Sequence, residues 1–158
     1  MIDLRAGVLS CTLLAFLSSS SFAAENELTA DLSPVGPVTG GHAGLAPADE
    51  NFGAYPMSVM GIETEIRTAG ARFRDASERA ELEHGAFAYS IDAIRDLERR
   101  FPHDPEVQRG LLAVARVFMR VHNQSARELA SHVVHWLEHD YPTSTAAHTA
   151  RAEYGASD

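Results

Sequence analysis

The chain has 158 residues, with 22 acidic and 13 basic side chains, eight histidines, 45% apolar residues and one cysteine, for a formal charge of −9. This composition excludes collagen-like, disulfide-scaffolded and multi-domain proteins, and the negative charge argues against nucleic acid as a partner. Every basic residue is arginine, so lysine-dependent chemistry, whether Schiff base, P-loop or amine nucleophile, is excluded too.

Residues 6–17 form an apolar run too short to span a bilayer, followed by serines and by Ser21-Phe22-Ala23, with small residues at the −3 and −1 positions. The pattern predicts a signal peptide over residues 1–23 and a periplasmic or secreted protein. Cys11 lies inside the apolar run with further apolar residues after it, which does not suit a lipid anchor. Cleavage after Ala23 therefore leaves a chain without cysteine, with no stable membrane span, that must be held together by burial. Residues 24–57 contain Pro34, Pro37, Pro47, Pro56 and five glycines, which break helical and strand periodicity alike. The segment is expected to be an extended or disordered arm, serving as a tether or lying along a partner protein.

From Ser58 the spacing turns helical, and residues 58–158 are expected to form one all-α domain. Val59, Ile62, Ile66, Ala69, Phe73, Ala76 and Ala80 make one stripe, ending near Gly85. Phe87, Ile91, Ile94, Leu97 and Phe101 make a second, stopped by Pro102. Asp104-Pro105-Glu106 reads as an N-cap, a proline at the first helical position and a first-turn acid, opening a helix with the seam Val107, Leu111, Val114, Phe118 and Val121. Ser125-Ala126-Arg127-Glu128 reads as a capping box for a fourth helix with Leu129, Val133, Trp136 and Leu137 inward. Thr143 or Ser144 then caps a short fifth helix. Connections this short predict antiparallel neighbours.

Ile94-Arg95-Asp96-Leu97-Glu98-Arg99-Arg100-Phe101-Pro102 matches Val134-His135-Trp136-Leu137-Glu138-His139-Asp140-Tyr141-Pro142 at an offset of 40 residues, sharing an aliphatic residue, Leu-Glu and an aromatic-Pro stop. With Tyr141-Pro142-Thr143-Ser144 and the spaced alanines Ala147 and Ala150, the chain resembles tetratricopeptide-like repeat proteins of the bacterial envelope. The resemblance implies helix hairpins stacked as a short solenoid behind the N-terminal arm, and a non-catalytic scaffold that holds a peptide or partner subunit.

Three groups of side chains carry possible chemistry. Arg109, Arg116 and Arg120 lie within about 40° of one another on the third helix, and Arg67 and Arg74 share a face of the first. Such a row can clamp an acidic peptide by forked hydrogen bonds, which makes these five the candidate partner-binding residues. His135-Trp136-Leu137-Glu138-His139 has the wording of an inverted zinc-peptidase motif, but Glu153 is the only downstream glutamate for a third ligand beside the two histidines. His132 adds a third histidine on that face. It stands about 10 Å along the axis from His139, so the three are at best weak candidates for pairwise metal binding. The missing Cys-x-x-Cys-His excludes a c-type haem.

These readings lead to an exported, non-enzymatic interaction or scaffold module without a cofactor, whose partner is a protein or a larger enzyme subunit. The alternative is a small structural subunit of a periplasmic oxidoreductase complex, its arm wrapped over a catalytic chain. The third possibility is a metal-dependent hydrolase.

Overall fold

The computed structural model describes residues 30–73 and 85–155. The signal peptide expected over residues 1–23, together with Cys11, Arg74, Ala76 and Ala80, lies outside the described residues. Those that are described form an all-helical protein of five helices: α1 (Val59–Arg72), α2 (Ala86–Arg100), α3 (Pro105–Arg120), α4 (Gln124–Asp140) and α5 (Thr145–Tyr154). Among the described residues the only β feature is a single bridge between Phe52 and Met57. No helix there is long and apolar enough to cross a membrane.

Local chemistry sets the helix ends. Ser58, Asp104 and Ser144 each stand in extended backbone and accept a first-turn N–H, from Gly61, Glu106 and Ala147 respectively. Each removes one of the unpaired donors that a helix start exposes. The fourth helix begins earlier than the capping box at Ser125 implies. Asn123 accepts the Ala126 N–H at 2.7 Å and is the N-cap, so Ser125 falls inside the first turn. A short polar side chain on extended backbone suffices for this role, and Asn123 reaches it two residues sooner. Helix α1 closes at Arg72, where the Phe73 N–H returns to the Ala69 carbonyl.

The expected stripes form the core. Ile62, Ile66, Ala69 and Phe73, then Phe87, Ile91, Ile94, Leu97 and Phe101, then Val107, Leu111, Val114, Phe118 and Val121 are buried, with Val133, Trp136 and Leu137. Leu129 is only half-buried, and Ala126 and Ala130 take the inward positions of its turn. Each helix packs on its chain neighbour, α1 also touches α3, and α3 also touches α5. Two glycines allow close approach. A Cβ on Gly70 would lie 2.7 Å from the Arg120 guanidinium and 3.3 Å from Val117, and one on Gly110 would lie 3.0 Å from Ile94.

Residues 30–57 are non-helical and run over the chain's own helices. Leu32 and Phe52 enter the core, and Phe52 meets Phe101 edge-on at 6.0 Å. Helix carboxylates fasten this strap by accepting its backbone N–H groups. Asp140 takes Val35 and Gly36, Asp104 takes Ala46, Asp96 takes Gly53, and Asp92 takes Ala54. Arg95 holds the carbonyls of Asp31 and Ser33, and Arg100 holds that of Asn51 and the Glu50 carboxylate.

Candidate functional site

Helices α1 and α3 flank a groove that encloses about 460 Å³. Its floor is Ile62 and Ile66 of α1, Ile94 and Leu97 of α2, and Val117 of α3, and Val59, Leu112 and Ala113 add half-buried apolar surface. Arg67 stands on the α1 side, and Arg109, Arg116 and Arg120 stand on the α3 side, with Glu63 and Glu106 interleaved. Four of the five arginines singled out in the sequence therefore meet around one groove, although their two rows belong to different helices. Arg74 lies outside the described residues.

The four arginines are not equivalent. Arg116 forms a two-pronged pair with Glu153 of α5, at 3.0 Å from Nε and 2.5 Å from Nη2. That hydrogen-bonded pair raises the Arg116 pKa above its usual value and lowers that of Glu153. Arg120 donates to the Gly70 carbonyl at 2.9 Å and ties the two helices together. Among the described residues Arg67 and Arg109 pair only within their own helices, Arg67 with Glu63 at 3.9 Å and Thr64 at 3.4 Å and Arg109 with Glu106 at 2.6 Å, and their side chains are 69% and 66% exposed. Exposed pairs of this kind are weak, so both guanidinium groups can be redirected to an incoming carboxylate.

His132, His135 and His139 are all exposed on α4. Among the described residues no three His, Cys, Asp or Glu side chains are grouped to hold a metal ion. The two acids that a peptidase reading needs are engaged elsewhere, Glu138 with Arg151 at 2.7 Å and Glu153 with Arg116.

No protein-family model, curated protein or solved structure matches this chain. The geometry therefore carries the functional reading alone.

A second polar cluster lies under the strap, between α2 and α4. Glu98 is 2% exposed and accepts the Trp136 indole N–H at 2.9 Å. Burial, reinforced by the neighbouring Asp140 charge, pushes its pKa up to about 7 against the pull of the polar Tyr141 and Trp136 side chains and of the Arg95 charge. Arg95 lies over the Trp136 ring at 5.1 Å and reaches the Asp31 carboxylate at 2.9 Å. Burial also lifts the Tyr141 hydroxyl above its ordinary range, and that hydroxyl donates to the Pro102 carbonyl at 3.1 Å.

Sequence reasoning placed Arg95, Glu98 and Asp140 only as members of a repeated pattern. For Arg95 and Glu98 the one local signal is position: they fall four residues after Ile91 and Ile94 respectively, on the inward stripe, where charged residues are seldom found unpaired.

Proposed function

We propose that the protein is an exported, non-catalytic interaction module of tetratricopeptide-like build that holds a segment of a partner protein in the groove between α1 and α3. The observation that carries this reading is the convergence of Arg67, Arg109, Arg116 and Arg120 on one apolar groove, in a chain whose overall charge is −9. Local positive charge against a negative whole selects a partner segment with carboxylates flanking apolar side chains, and repels acidic chains from the rest of the surface. The apolar side chains would enter over Ile62, Ile66 and Val117, and the carboxylates would meet Arg67 and Arg109.

Two features support the tetratricopeptide-like build. Helices contact their next neighbour and also the next but one at α1–α3 and α3–α5. The turns after α2 and α4 repeat each other: Phe101 and Tyr141 have φ of −134° and −131°, and the Asp104 and Ser144 N–H groups return to the Phe101 and Tyr141 carbonyls at 3.0 Å each.

The test is fluorescence anisotropy with a synthetic Leu/Glu amphipathic peptide and its Leu/Gln counterpart. The reading expects binding of the Glu peptide that weakens with salt, at least tenfold weaker binding of the Gln peptide, and a similar loss in Arg67→Glu and Arg109→Glu. Equal binding of both peptides by the parent and both variants would overturn it.

A further inference from the structure

The histidine face of α4 has an organisation that its sequence spacing does not reveal. His135 and His139 stand one turn apart with ring centroids 6.1 Å from each other, both open to solvent. His139 Nδ1 lies 2.6 Å from Asp140 Oδ1. That carboxylate already accepts the Val35 N–H at 2.8 Å and the Gly36 N–H at 3.1 Å. An ionised carboxylate is an acceptor towards the histidine too, so the neutral imidazole that a metal ion requires carries its proton on Nδ1 and its lone pair on Nε2.

Asp140 is itself fixed. Its side chain is 6% exposed, and Gly36 has a φ of +75°, a left-handed conformation that turns two successive N–H groups towards one carboxylate. A carboxylate on the far nitrogen of a histidine is the arrangement that sets tautomer and ring direction in metal ligands, and it raises ligand basicity. Position adds to this. His139 is in the last turn of α4, where the carbonyl end of the helix favours a cation.

We propose that His135 and His139 chelate one divalent transition-metal ion of the zinc or copper class, with Asp140 orienting His139 and the strap orienting Asp140. Nitrogen ligands at about 2 Å from a shared ion place two ring centroids about 5 Å apart, roughly 1 Å closer than they stand, which small side-chain rotations provide. Water completes the coordination, since two ligands stand here among the described residues. His132 is excluded from the same ion, because its axial distance from His139 is about 10 Å. The site stands apart from the α1–α3 groove and does not depend on how that groove is used.

Calorimetric titration of the full chain with Zn²⁺ and with Cu²⁺, each against Mg²⁺ as control, tests the site. One ion per chain is expected, with no uptake of Mg²⁺. His135→Gln and His139→Gln should each weaken binding at least tenfold, and His132→Gln should change it less than twofold. Asp140→Asn, with helicity verified by circular dichroism, should weaken it about tenfold. Equal losses for all three histidines would show a diffuse imidazole surface and overturn the proposal, as would uptake of several ions per chain. Unchanged affinity in Asp140→Asn would remove the oriented site. The histidine variants change exposed side chains only, so the test stands even if Asp140→Asn fails to fold.

Discussion

The seam between α2 and α4 and the groove between α1 and α3 are both clefts between helices, but the chain covers one and leaves the other open. Over the first, residues 30–36 bring Leu32 into the core and give the Asp31 and Ser33 carbonyls to Arg95 and the Val35 and Gly36 N–H groups to Asp140. Over the second nothing among the described residues is laid, and Arg67 and Arg109 remain exposed. The polarity of the lining side chains differs accordingly. Carboxylates of α2, α3 and α4 receive backbone donors from an extended segment, whereas guanidinium groups around the groove require acceptors. The same helical scaffold thus engages one segment of its own chain through main-chain contacts and leaves exposed guanidinium groups around another cleft.

Breaking the covered seam should have the largest consequence. Trp136→Ala empties a fully buried site and leaves Glu98 without its indole donor, so a loss of about 3–5 kcal/mol is expected, a large share of the stability of a domain this size. Chemical denaturation would measure it, and a midpoint unchanged from the parent would place the energetic weight of the seam elsewhere. Phe52→Ala asks whether the strap contributes to the same core. A loss of about 3 kcal/mol is expected if its contact with Phe101 matters as its burial indicates. A loss below about 1 kcal/mol would mean that the strap lies on the core without supporting it.

The covered seam should also respond to pH in a direction opposite to an ordinary salt-bridged acid. Glu98 titrates near 7 in the folded chain and near 4.5 when exposed, so between these values the folded state keeps a proton that the unfolded state has released. Stability therefore falls as pH rises through that window, by up to about 3 kcal/mol, and levels off above it. Glu98→Gln should abolish that slope. A parent whose stability is flat from pH 4.5 to 7 would show that Glu98 is ionised in place.

The smaller effects sharpen the contrast. Gly36→Ala forces a side chain into a left-handed conformation at the point where the strap meets Asp140, and should cost about 1–2 kcal/mol. Arg109→Glu, on the open groove, should change stability by no more than about 0.5 kcal/mol while removing binding of an acidic peptide. A large stability loss at Arg109 would make the groove a structural joint instead of a surface held for a partner.

Local chemistry explains what could be read in advance. Helical periodicity, the Asp104-Pro105 start, the Ser144 cap and the aromatic-Pro stops act within a turn or two, so they were visible as spacing. The candidate arginines were visible as rows on single helices. That Arg67 lines the same groove as Arg109 and Arg116 was not, because the crossing depends on Gly70 and Gly110 letting α3 approach α1 and α2. The start of α4 differs by two residues from the capping box at Ser125 because Asn123 and Ser125 are both competent caps, and the extended backbone at Asn123 decides between them.

Spacing and composition alone show that the chain is helical, where most of its helices start and stop, which residues face inward, and that residues 30–57 are not helical. These follow from interactions among residues close in the chain. Long-range packing is what folds the segment back as a strap, places Glu98 and Arg95 beneath it with Trp136, and shares Asp140 between the strap and His139. Those contacts join residues up to 105 positions apart. The charges involved look alike in sequence whether they end in water or under a neighbour, and packing alone separates the two outcomes.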